Sequence, residues 1–136
     1  MNGIEADQVE VLDLDAETAS VAAARRFVAR AFAGRVPRDI VADLVLATSE
    51  LVTNAIEHGQ PAEAPVRVTV AAGPSTAAIA VRSAGGEATL GAPEQWGLPS
   101  PEVRTGRGLG IVRQVSDQVD VHHADGTLEI VAQRRW

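Results

Sequence analysis

The chain runs to 136 residues, 46% of them hydrophobic, with a net charge of −6 and no cysteine, which suits one compact domain over residues 1–136 and removes thiolate nucleophiles, disulfides and cysteine metal sites. Its twelve basic residues are all arginine, so a Walker A loop, a kinase strand lysine and a Schiff base are excluded. The acid excess argues against direct binding to nucleic acid or an anionic membrane, and with neither a leader-like N-terminus nor an apolar run of about 18 residues the expectation is a cytoplasmic protein with a protein or small-molecule partner.

The first element is a strand: VEVLDL, Val9 to Leu14, alternates apolar and acidic residues. Asp15 is placed to cap a helix whose apolar positions Val21, Ala24, Phe27, Val28 and Ala31 recur at helical spacing, and which ends at Gly34. Pro37 suits the first turn of a second helix. Its wide apolar stripe, from Ile40 through Leu44, Leu51 and Val52 to Ile56, runs for about 20 residues toward Gly59.

APVRVTVAA and AAIAVRS then read as two strands joined by the turn GPST. From Ser83 to Arg107 no periodicity is found. Structureless loops of that length are usually lids or binding loops, and Trp96 within this one suggests contact with a ligand or partner. A third helix is expected over roughly Leu109 to Asp117, followed by the strands QVDVHH and TLEIVAQRRW around the turn Asp125-Gly126. The predicted fold is an α/β (α+β) two-layer sandwich: a mostly antiparallel sheet of about five strands with three helices on one face.

Within the second helix, SELVTNAIEHG places Glu50, Asn54 and His58 four residues apart, hence on one face. Spacing alone leaves two readings, a solvated polar stripe or the floor of a site. Downstream, TGRGLGIV sets glycine at 106, 108 and 110 where a helix opens. Such a start presents unpaired backbone N–H groups and the positive end of the helix dipole to an anion. His122 and His123 alternate across a strand and cannot ligate one metal together. Arg25, Arg26, Arg134 and Arg135 read as solvated.

With these boxes in this order, the chain resembles the Bergerat-fold (histidine-kinase-like) ATPases, and within them the anti-sigma factor serine kinases of the RsbW and SpoIIAB kind. The likeness spans nearly the whole chain: SELVTNAIEHG as the N box, SAGG as a modified first glycine box, TGRGLGIVRQVSDQ as the second, and DGT before the final strand. It implies ATP and Mg²⁺ as cofactors, with Asn54 as the metal ligand and Glu50 as the general base acting on a serine hydroxyl. Ser83 and Gly85 stand in the first glycine box. Gly106, Arg107, Gly108, Leu109 and Gly110 would cradle phosphates, and Thr127 would lie near the adenine. His58 stays outside this chemistry.

The same resemblance implies a regulator that binds a sigma factor or its antagonist protein, often as a homodimer, and that, if active, is a protein-serine kinase. One position departs from the pattern. Ser83 stands where the family's aspartate accepts the adenine amino group, and exchanging a charged acceptor for a neutral one costs about 1.5–3 kcal/mol, or a factor of about 10 to 150 in affinity. Glu87 is the nearby carboxylate that could substitute. The alternatives are a member of the same fold that no longer binds nucleotide and works as a protein-binding module, and a detached histidine kinase catalytic domain. The latter calls for an upstream phosphoacceptor histidine, and no histidine precedes His58.

Overall fold

A computed structural model describes residues 6–59, 61–85 and 104–136. Five strands, β1 (Gln8–Leu14), β2 (Val66–Ala72), β3 (Thr76–Ala84), β4 (Gln118–Ala124) and β5 (Thr127–Arg135), form one sheet in the order β1-β2-β3-β5-β4, with every neighbouring pair antiparallel. Three helices, α1 (Ala19–Phe32), α2 (Arg38–His58) and α3 (Arg104–Gln114), complete the described residues. This is the two-layer α+β sandwich that the sequence pattern predicts.

Strand alternation decides where the core lies. Val66, Val68, Val70 and Ala72 of β2, Ala77, Ile79 and Val81 of β3, and Leu128, Ile130 and Ala132 of β5 all point to one face. That face meets Ala24, Val28 and Phe32 of α1 and the buried stripe Ile40, Leu44, Ala47, Leu51, Val52 and Ala55 of α2. α2 is the central helix, packed against α1, α3 and strands β2, β3 and β5. A side chain projecting from α2 toward β3 or α3 is therefore held by a rigid frame.

Turn chemistry fixes the hairpins. Asp125 and Gly126 both take positive φ, 51° and 75°, the backbone that a two-residue hairpin turn requires. Gly34, at φ 75°, leads the chain out of α1. Gly59 is not left-handed; a Cβ there would sit 2.8 Å from the Ala55 carbonyl oxygen, so only glycine lets the chain leave α2 this closely.

Three local expectations are corrected. Asp15 does not cap α1, which starts at Ala19 after Thr18; the Asp15 carbonyl instead accepts the Glu17 amide at 2.8 Å. α3 begins at Arg104 and ends at Gln114, five residues ahead of the predicted start and three short of the predicted end. Arg134 is not solvated. Alternation from Ile130 and Ala132 turns it to the helix side, where it pairs with Asp43 of α2, meets Asp117 Oδ2 at 3.2 Å and donates to the Val115 carbonyl at 3.1 Å. It thereby ties the end of β5 to α2 and to the chain leaving α3.

Candidate functional site

The site is built on the second half of α2. Helical spacing puts Glu50 and Asn54 on one side, one turn apart, where α2 meets α3 and β3. Asn54 is only 8% exposed, and its Oδ1 is buried without a hydrogen-bond partner among the described residues. Nearly all buried polar atoms are paired, and leaving one unpaired costs about 1–3 kcal/mol. An isolated amide oxygen of this kind is a hard, neutral donor, suited to a cation that draws its other ligands from water and phosphate. Among the described residues no group of three or more His, Asp or Glu gathers elsewhere as a metal cage.

Glu50 is half-buried, and its carboxylate rests against the backbone of α3. A Cβ built on Gly108 would lie 2.7 Å from Glu50 Oε2 and 3.7 Å from its carboxyl carbon. Gly108 thus gives the carboxylate its place: any side chain there would displace the end of Glu50 from its seat on α3. Because α3 starts at Arg104, Gly106, Gly108 and Gly110 lie inside the helix and not in a turn ahead of it. In an α-helix the first four amides are the ones without internal partners. Gly108 and Gly110 lie beyond that first turn and contribute by what they lack. Leu109 is buried in the core and anchors the helix.

The far side of the site is the end of β3. Ser83 is 8% exposed, on the helix-facing side with Val81, and pairs across the sheet with Leu128. Its hydroxyl has no hydrogen-bond partner among the described residues. Gly85, at φ 97°, continues the ladder by donating its amide to the Gly126 carbonyl at 2.7 Å.

Thr127 pairs with Ala84 and so projects to the opposite face from Ser83, and its hydroxyl donates to the Ala124 carbonyl at 2.7 Å, closing the turn. The structure therefore brings Glu50, Asn54 and Gly108 together on facing helices. Ser83 stands on the strand face that α2 covers, and Thr127 on the other. Leu128, 6% exposed beside Ser83, is the apolar neighbour missed in the sequence; the two-residue period from Ile130 and Ala132 was the signal.

His58 lies in the last turn of α2, half-exposed, with Nε2 3.9 Å from a Glu57 carboxylate oxygen. His122 and His123 are exposed, on opposite faces of β4. The long loop with Trp96 and Glu87 lies outside the described residues, as do the side chains of residues 104–107.

Comparison with known proteins bears on the family and the fold. Residues 14–134 match the model of a family described as the histidine kinase-like ATPase domain. Among solved structures, the chain is similar to that of the RsbU and RsbW domains of Rv1364c from Mycobacterium tuberculosis, with a TM-score of 0.65 and 22% sequence identity. The match covers 94% of this chain and 32% of that one, a likeness of fold across about a third of the larger protein. No curated protein matches the chain.

Proposed function

The chain belongs to the histidine kinase-like ATPase domain family, and from that premise we propose that its single domain binds ATP with Mg²⁺ in the cytoplasm as a partner-switching regulator of the anti-sigma type. The observation that carries this reading is the buried, unpartnered Oδ1 of Asn54, one helical turn from a carboxylate seated against Gly108.

Asn54 is the ligand offered to the metal. The amides of the first turn of α3, with Arg107, would hold the phosphates, and Gly108 and Gly110, lacking side chains, would leave the approach clear. Bound Mg-ATP supplies the γ-phosphoryl group, whose transfer needs mainly positioning and charge neutralisation. Glu50 accepts the proton of an incoming serine hydroxyl on an antagonist protein, in keeping with a base that must lie within hydrogen-bond reach of its substrate. Ser83 and Leu128 face the nucleobase, the first by a neutral hydroxyl and the second by apolar contact. Gly85 lets the chain leave β3 beside them. Thr127 acts indirectly, by holding the turn that adjoins them. A sigma factor or its antagonist is the partner, and a homodimer the assembly.

A second reading is favoured by one observation, the neutral Ser83: a protein-binding module of this fold with weakened nucleotide affinity. Calorimetric titration with Mg-ATP separates the two. Saturable, Mg²⁺-dependent binding that Asn54→Ala removes supports the nucleotide site, while no saturable heat up to millimolar nucleotide selects the module.

A further inference from the structure

The end of β3 offers a nucleobase one polar side chain, and that side chain is neutral. Ser83 is 8% exposed, its hydroxyl has no hydrogen-bond partner among the described residues, and its neighbours on this face, Val81 and Leu128, are apolar. The other polar groups of these strands are committed or turned away. The Gly85 amide donates to the Gly126 carbonyl and the Thr127 hydroxyl to the Ala124 carbonyl. Glu129 pairs with Arg82 and so lies on the opposite face of the sheet. On α2, the Glu50 carboxylate rests against Gly108. Among the described residues, then, no carboxylate stands beside Ser83 on the strands to read a base with fixed polarity.

A carboxylate and a hydroxyl read a purine differently. An ionised carboxylate only accepts hydrogen bonds, so it favours a 6-amino group and repels the 6-oxo group of guanine or hypoxanthine. A serine hydroxyl carries one donor and two acceptor lone pairs, and it rotates to suit its partner. It accepts from a 6-amino group or donates to a 6-oxo group. A water bridging Ser83 to the base has the same two-way character, so the shorter reach of serine does not restore a preference. Strong discrimination arises where the wrong ligand leaves a buried polar group unpaired. Neither kind of purine leaves the Ser83 hydroxyl unpaired.

We propose that Ser83 sets the nucleotide specificity of this chain by removing the preference for adenine: the site takes purine nucleoside triphosphates with either a 6-amino or a 6-oxo group, GTP and ITP as well as ATP. The inference rests on the reading given above, in which the nucleobase lies against Ser83 and Leu128. Leu128 offers apolar contact that any purine ring meets alike. Asn54 and the first turn of α3 serve the metal and the phosphates, which these nucleotides share. The choice between a 6-amino and a 6-oxo purine therefore falls to Ser83.

The test is calorimetric titration of the whole chain with the Mg²⁺ complexes of ATP, ITP and GTP, and with CTP as the single-ring control. ITP carries the 6-oxo group without the 2-amino group of guanine, so it isolates the position that Ser83 reads. The three purine nucleotides are expected to bind within about tenfold of one another, with CTP weaker. In Ser83→Asp, ATP should gain about 10- to 150-fold while ITP and GTP gain nothing, so that a preference for ATP opens. Melting curves with and without nucleotide check the folding of that variant; if it does not fold, the parent's own series decides. Parent binding of ATP more than about a hundredfold tighter than of both ITP and GTP overturns the proposal and leaves the nucleotide site standing. So does CTP bound as tightly as the purines, because the base then goes unread. No saturable binding of any nucleotide overturns the proposal together with the nucleotide reading beneath it.

Discussion

Gly108→Ala separates stability from function at the contact between α2 and α3. The added methyl would lie 2.7 Å from Glu50 Oε2, well inside the 3.4 Å at which ordinary contact begins. The nearest atom is the far end of a side chain, so the carboxylate yields and the helices need not part. Pushing Glu50 off its rotamer costs about 0.5–1.5 kcal/mol. Replacing a helical glycine by alanine gains about 0.8–1 kcal/mol. The two nearly cancel, so the melting temperature should move by no more than about 4 °C, the shift that about 1 kcal/mol produces in a domain of this size.

Activity should respond differently. A misplacement of about 1 Å at a catalytic group can cost about a hundredfold in rate. The assay pairs thermal melting with turnover of γ-labelled ATP, as hydrolysis or as transfer to a serine. A variant as stable as the parent but about a hundredfold slower agrees with the account. One that turns over ATP at the parent's rate would refute the placement of Glu50 as the base held against Gly108.

Ser83→Asp restores a charged acceptor at the end of β3 and should tighten ATP binding by about 10- to 150-fold; calorimetry reads this directly, and unchanged affinity would move the nucleobase away from this strand. The exposed pair Asp13–Arg67 predicts a pH effect. The hydrogen bond from Arg67 lowers the Asp13 pKa below its ordinary value of 3.8, with their charge attraction adding to it. The ionised carboxylate thus favours the fold above pH 3.8, and that contribution is lost as the pH falls through the lower folded value. Asp13→Asn should remove this part of the acid slope in melting curves taken below pH 5, its small cost appearing at neutral pH, where the parent's carboxylate is ionised, and vanishing at the acid end; an unchanged slope would contradict it.

The parts of the fold that were legible in the sequence are those where one physical signal acts alone. α2 declares itself by a long apolar stripe between Pro37 and Gly59, and the β4–β5 hairpin by Asp125-Gly126, whose positive φ values the turn requires. Signals that conflict were harder. Three glycines in five residues read as a turn, so α3 was expected to begin at Leu109. The helix nonetheless starts at Arg104, against glycine's poor helix propensity, and packs Gly108 against Glu50. Arg134 reads as solvated by residue type alone, whereas the two-residue period carried past Ala132 turns it toward Asp43. The same period separates Thr127 from Ser83, a distinction that motif spacing alone does not make. For the candidate site, residue types and spacing marked Glu50 and Asn54, but only the packed structure reveals that Asn54 Oδ1 is enclosed without a partner.

That orphaned oxygen is where the account is most exposed. The decisive measurement is calorimetric titration of the parent chain and of Asn54→Ala with ATP, each in the presence of Mg²⁺ and of a chelator. The account predicts saturable binding by the parent that depends on Mg²⁺. It predicts loss of at least about tenfold in affinity for Asn54→Ala, with the melting temperature of the unliganded variant within a few degrees because Oδ1 has no hydrogen bond to lose among the described residues. Binding by Asn54→Ala equal to the parent's, with the same response to Mg²⁺, would contradict it.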